Sequence, residues 1–140
     1  MFNQDYYMED TNVAERLYRE WKEHGNLIIA YDYDNTVFDY HGQGHTYNQV
    51  IKLLRECKEL GAYLYVFTAC AEEKFPQIEQ YLQENNIPYD AINEAPDFLP
   101  FKGRKPYYNV LLDDRAGLRS AYHALRLAAL KIKEERGWMQ

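Results

Sequence analysis

The chain is short of positive charge, of cysteine and of long apolar runs, and each shortage excludes a class of protein. Lys and Arg number 16 against 22 Asp and Glu, giving a net charge of −6 and a pI near 5.2. No extended nucleic-acid footprint is expected, because such surfaces collect cations to neutralise phosphates. Apolar stretches such as Leu27-Ile28-Ile29-Ala30 fall far below the roughly 20 residues needed to cross a bilayer. The acidic, aromatic N-terminus lacks a basic region followed by an apolar one. A cytoplasmic protein with no membrane partner is the expectation. The only cysteines, Cys57 and Cys70, are expected to stay reduced rather than pair. Tyrosine, in contrast, is abundant at 14 residues, and is read as amphipathic packing surface with a polar tip. A chain of 140 residues with 46% hydrophobic composition and no internal repeat is read as one domain, 1–140, able to bury a sizeable core.

Periodicity divides the chain into alternating elements. Val13, Leu17 and Trp21 recur at helical spacing, which predicts a helix over about 11–24 stopped by Gly25. Leu27 to Tyr33 is a nearly continuous apolar run, the pattern of a strand covered on both faces. Thr46 and Gln49 have capping-box spacing ahead of Val50, Ile51, Leu54, Cys57 and Leu60, so a helix is expected over about 47–60. Ala62 to Phe67 reads as a second buried strand. A helix through Phe75, Ile78 and Leu82 follows, ending near Asn86 with Pro88 beyond it, and Tyr89 to Ile92 reads as a weak third strand. Pro96, Pro100, Gly103 and Pro106 make 93–106 a loop or irregular crossover. Tyr107 to Leu112 regains strand character, and Leu118, Tyr122, Leu125, Ala129 and Ile132 mark a final helix over about 116–136. Strands separated by helical segments imply an α/β fold: a single three-layer α/β/α Rossmann-like domain with a mainly parallel sheet and helices on both faces. In such a sheet ligands bind at the carboxyl ends of the strands.

Candidate functional groups fall at those ends or beside them. Asp32 and Asp34 follow the first strand, Thr68 the second, Lys105 precedes the last, and Asp113 with Asp114 follows it. Taken in order, Ile29-Ala30-Tyr31-Asp32-Tyr33-Asp34-Asn35-Thr36-Val37, Thr68, Lys105 and Val110-Leu111-Leu112-Asp113-Asp114 resemble the four motifs of the haloacid dehalogenase superfamily. The resemblance spans about 27–117, the catalytic core. It implies a Mg²⁺-dependent phosphohydrolase of phosphoric monoesters that works through a phospho-aspartyl intermediate at Asp32. Asp32, Asp113, Asp114 and the backbone carbonyl of Asp34 would then hold the Mg²⁺, with direct or water-mediated coordination by Asp114 left open. Asp34, which separates the phosphatases from the true dehalogenases, would be the general acid and base. Thr68 and Lys105 would hold phosphoryl oxygens, with Lys102 near enough on the same loop to compete for that role. Phosphate and carboxylates still outweigh Mg²⁺ and one lysine, so backbone N–H groups around Asn35 and on the helix after Thr68 are expected to supply the remainder. Thr36 is read as a structural residue that fixes the loop through a side-chain hydrogen bond.

The same resemblance bears on size and rivals. Caps in related proteins are inserted after the first motif or before the lysine, but 38–47 and 93–104 hold only about ten and twelve residues, too few for a folded insertion. A capless, open site is expected; by resemblance such sites take large phosphorylated substrates or borrow cover from another subunit, and the N-terminal helix or the loop 93–106 could also roof this one in part. His41 and His45 lack the other ligands of a zinc set, which leaves them as substrate contacts or loop surface. Arg115 is read as pairing with the carboxylates beside it in preference to the alternative, contact with the substrate. The alternative is a phosphotransferase, or a phosphate-binding regulator without hydrolysis. A response-regulator receiver is disfavoured because its acidic pair follows the first strand, not the last. Substrate identity and oligomeric state are not legible in these residues.

Overall fold

In a computed structural model describing residues 4–138, the elements follow the alternation that the apolar spacing predicts. They are α1 (Asp10–His24), β1 (Ile28–Tyr31), α2 (Asn48–Glu59), β2 (Tyr63–Val66), α3 (Phe75–Glu84), β3 (Ala91–Ile92), β4 (Val110–Leu112) and α4 (Leu118–Glu135). The four strands form one sheet in the order β3-β2-β1-β4, parallel throughout. This is a single Rossmann-like α/β domain. No helix among the described residues is long and apolar enough to cross a membrane.

The helix ends have local causes. Ala14, Leu17 and Trp21 form the buried face of α1, which stops where Gly25 takes a left-handed φ of 78° and donates its N–H to the Trp21 carbonyl at 2.8 Å. Helix α2 begins differently from its capping-box reading. Tyr47, not Thr46, occupies the cap position, and no side chain caps the helix. The Tyr47 hydroxyl instead reaches Asn35 Oδ1 at 3.4 Å, which ties the start of α2 to the loop after β1. Strand β4 is shorter than the apolar run 107–112. Side chains add to the ladder at its approach, where the Asn109 N–H donates to Ile28 O at 2.8 Å: Asn109 Oδ1 accepts the Ile28 N–H at 2.7 Å, and the Tyr65 hydroxyl donates to the Tyr107 carbonyl at 3.0 Å.

The two faces of the sheet are covered unequally. Residues Ile29, Tyr31, Leu64, Val66, Val110 and Leu112 face one way and share a core with all four helices. Ile28, Ala30 and Tyr65 face the other way, and what covers them is Leu99, Tyr107 and Tyr108 of the irregular segment before β4. Among the described residues no helix packs on that face, where the three-layer reading expects one. Three prolines between 96 and 106 remove the N–H donors and the backbone freedom that a crossover helix would need. Neither 38–47 nor 93–109 carries a helix or a strand.

Candidate functional site

The parallel register fixes which residues meet at the rim. Tyr31 lies level with Val66 on one side and Leu112 on the other, and Val66 with Ile92. The ladder runs one residue further: Asp32 N–H donates to Leu112 O at 2.9 Å, Phe67 N–H to Tyr31 O at 2.8 Å and Asn93 N–H to Val66 O at 2.7 Å. Asp32 thus leaves the sheet between the chain ends that carry Asp113 and Thr68. Asp32, Asp34, Thr68, Asp113 and Asp114 all line one cavity of about 630 Å³. One carboxylate oxygen from each of Asp32, Asp113 and Asp114 can be chosen so that all three lie within 4.8 Å of one another.

Two loops hold these carboxylates in place. After Asp32 the chain winds around the Tyr33 carbonyl, which accepts the N–H groups of Val37 and Phe38 at 3.2 and 3.1 Å. Asn35 takes a φ of 60° so that its own N–H can turn back to Phe38 O at 2.8 Å. Asn tolerates that left-handed geometry better than most residues. The stacked rings of Tyr33 and Phe38, 4.9 Å apart with Tyr81 edge-on to both, close the turn on its apolar side. Thr36 is fully buried, and its Oγ1 accepts the Asp114 N–H at 3.3 Å. That bond joins the first acidic loop to the second, so Thr36 sets the separation of the two carboxylate pairs. Asp113 turns its own loop by accepting the Arg115 N–H at 2.9 Å.

The electrostatics of the cluster follow from its crowding. Burial, a hydrogen bond with Asp114 and the charges of Asp113 and Asp114 push the Asp32 carboxyl up to about 7, against a smaller opposing effect of the Tyr33 N–H. Asp34 is also raised, by burial first and then by the charge of Asp114. A cation among these oxygens would relieve both effects. The donor set is oxygen only, which fits a hard divalent ion such as Mg²⁺. Arg115 is the one guanidinium or ammonium group lining the cavity among the described residues.

A pH prediction follows from the direction of the Asp32 shift. Its folded pKa lies above the unfolded value of about 4, so the metal-free fold is penalised increasingly as pH rises from about 4 through about 7, and fully above that. Asp32→Asn removes the penalty. Since Asp32 is only about half buried and solvent screens part of the effect, the variant is expected to exceed the wild type by about 1–2 kcal/mol at pH 8 in chelator and to match it at pH 4. Urea unfolding at the two pH values checks this. Equal stability at both would mean that the carboxylates do not strain one another.

Several expectations from the sequence are corrected here. Lys105 does not line the acidic cavity, and neither does Lys102. Both lie exposed on the segment before β4 and line a neighbouring cavity of about 310 Å³ instead. The cause is the missing crossover helix, since the proline-rich chain runs over the sheet face rather than bringing residue 105 to the rim. Arg115 makes no ion pair among the described residues, so it is a cavity-lining group and not a partner of the carboxylates. The Asn35 N–H is itself committed to Phe38 O, and the first helical turn after Thr68 is a short 3-10 segment, Glu72–Lys74, that leads into α3. Neither α1 nor the loop 93–106 roofs the cavity. His41 and the exposed Tyr40 line it, and His45 does not. Cys57 and Cys70 are free thiols.

One residue of the rim escaped the sequence reading. Asn93 ends β3 with a φ of 57°, and its carboxamide grips the backbone of Thr68 on both sides: Oδ1 accepts the Thr68 N–H and Nδ2 donates to the Thr68 carbonyl, each at 2.9 Å. The available signal was an Asn directly after a strand, where a left-handed turn is common.

Comparison with known proteins adds the fold. No protein-family model and no curated protein matches this chain. Among solved structures, a conserved protein from Bacteroides thetaiotaomicron is similar, with 16% sequence identity and a TM-score of 0.56, over 82% of this chain and 93% of that one. At that identity the likeness shows the fold alone. Together the fold and the site define a Rossmann-like α/β domain with a carboxylate-rich cavity at the carboxyl rim of its sheet.

Proposed function

We propose that the protein is a Mg²⁺-dependent phosphohydrolase of phosphoric monoesters, a capless phosphatase of the haloacid dehalogenase type, with Asp32 as nucleophile. One observation carries this reading: the clustered oxygens of Asp32, Asp113 and Asp114 share a cavity with Asp34 and Thr68. Asp32 and Asp113, with Asp114 beside them, would hold Mg²⁺, which supplies the positive charge that lets an anionic carboxylate approach an anionic phosphate.

The protein groups then divide the reaction into two steps. An Asp32 oxygen bonds to phosphorus while the bond from phosphorus to the ester oxygen breaks, and Asp34 gives its proton to the departing oxygen. Water next attacks the phosphorus of the acyl phosphate. Asp34 takes a proton from that water, the bond to Asp32 breaks, and inorganic phosphate leaves. Asp34 suits this exchange because its raised pKa lets it carry the proton closer to neutrality than an ordinary carboxylate. Thr68 Oγ1 accepts the Cys70 N–H at 3.2 Å, which leaves its own proton to donate to a phosphoryl oxygen. Arg115 is the cation at hand for the same oxygens.

Turnover of p-nitrophenyl phosphate with and without Mg²⁺, in the wild type and in Asp32→Asn, tests the proposal. A second reading, phosphate binding without net hydrolysis, is favoured by the position of Lys105 outside the cavity. Tight phosphate binding with no release of p-nitrophenol would support that alternative.

A further inference from the structure

A four-residue span near the acidic cavity inverts the charge balance of the chain. Lys102, Arg104 and Lys105 fall within four positions of a protein whose net charge is −6, and all three are exposed. They line a cavity of about 310 Å³ together with Asn93, Asp97 and Tyr107. Among the described residues none of the three makes an ion pair, although Asp97 lies in the same lining. Of the six lysines outside this loop, four, Lys22, Lys58, Lys131 and Lys133, are paired with a carboxylate. Three unpaired cations on one short loop repel one another, and an anion between them would remove that cost.

Phe67 and Thr68 link the acidic cavity to the residues of the basic loop's cavities. Both residues line the acidic side. On the basic side Asn93 holds the Thr68 backbone through two 2.9 Å hydrogen bonds, and the Tyr108 ring lies 6.3 Å from that of Phe67. Tyr108, Lys102 and Lys105 line a further recess of about 270 Å³. A molecule with its phosphate beside Thr68 therefore has the basic cavity beyond Asn93, the residue bonded to Thr68. The acidic cavity itself presents four carboxylates and one guanidinium, a poor attractor for a ligand with a single anionic group. The loop offers the positive field that the cavity lacks.

We infer that the substrate carries a second anionic group, a phosphate or a carboxylate, which binds on the loop bearing Lys102, Arg104 and Lys105 while its ester phosphate enters the acidic cavity. This rests on the phosphohydrolase reading and names the substrate class for that site. The recognition is electrostatic, so it acts on capture rather than on the chemical step, and appears in KM rather than in kcat.

Two matched pairs of esters test it in the Mg²⁺-supplied protein: glucose 1,6-bisphosphate against glucose 6-phosphate, and 3-phosphoglycerate against glycerol 3-phosphate. The doubly anionic member of at least one pair is expected to have a kcat/KM about tenfold higher, a preference that shrinks as salt is raised. Which pair shows it identifies the second group as phosphate or carboxylate. In Lys102→Ala/Arg104→Ala the ratio within that pair is expected to fall about tenfold, mainly through KM. A ratio near one for both pairs in the wild type, or a ratio the double variant leaves unchanged, overturns the inference. If no ester is hydrolysed, the hydrolase reading fails separately, and calorimetric titration with the same four compounds decides the anion site. Tighter binding of a doubly anionic member, lost in the double variant, upholds it, and equal binding of all four refutes it.

Discussion

Asp32→Asn is expected to reduce turnover of p-nitrophenyl phosphate by about 10⁴-fold or more, as removal of an attacking nucleophile does in other covalent mechanisms. The substitution preserves shape and exchanges one carboxylate oxygen for an amide nitrogen, so loss of activity cannot be ascribed to a collapsed site. The same variant is expected to be the more stable protein at pH 8 without metal, because the crowding that raises the Asp32 pKa disappears with its charge. A variant that is inactive yet better folded separates chemistry from structure. Asp34→Asn should behave differently. p-Nitrophenolate leaves without a proton, so the first step survives, whereas attack of water loses its base and slows by about 10²–10⁴-fold. Stopped-flow measurement is then expected to show a burst of p-nitrophenolate followed by a slow steady rate. Asp34→Asn with no burst and wild-type turnover would remove Asp34 from the mechanism.

Chelation of divalent metal, or Asp113→Ala, is the second large effect expected. Charge neutralisation at a phosphoryl group contributes several kcal/mol, so turnover should drop by about 10²–10⁴-fold in either case. Added Mg²⁺ should restore the chelated wild type and leave Asp113→Ala unrestored. Thermal unfolding supplies an independent reading. A cation that binds only the folded protein stabilises it, by about 2.7 kcal/mol at a hundredfold excess over its Kd. Mg²⁺ should therefore raise the melting temperature of the wild type, and the gain should be largest above pH 7, where the repulsion that it relieves is greatest. A melting temperature indifferent to Mg²⁺ in the wild type would argue that the three carboxylates do not share an ion.

What could be read from the amino acids, and what could not, divides along physical lines. Trp21, Leu54, Leu82 and Leu125 each belong to the apolar helical spacing of their own segment and are all buried as that spacing requires. The carboxylates at 32, 34, 113 and 114 meet because a parallel sheet delivers its strand ends to one rim, a consequence of topology rather than of any single residue. Thr36 was legible as a structural residue, since a buried hydroxyl between two loops must find a partner. Lys105 was not, because the path of an irregular segment depends on tertiary packing that leaves no periodic trace. The same limit hid the one-sided coverage of the sheet: proline excluded a helix but did not say that Leu99, Tyr107 and Tyr108 would take its place. Asn93 was missed for another reason. Its role is a pair of hydrogen bonds to a chain 25 residues away, and no local pattern encodes such a partner.

A crystal structure of the protein soaked with Mg²⁺ and beryllofluoride tests most directly whether Asp32, Asp34 and Asp113 work on one ion. The expected result is BeF₃⁻ attached to a carboxylate oxygen of Asp32, with one Mg²⁺ touching both Asp32 and Asp113 and the Asp34 carboxyl facing the fluorides. Carboxylates turned into separate regions, or a cation bound away from Asp32 with no beryllofluoride on it, would contradict the account.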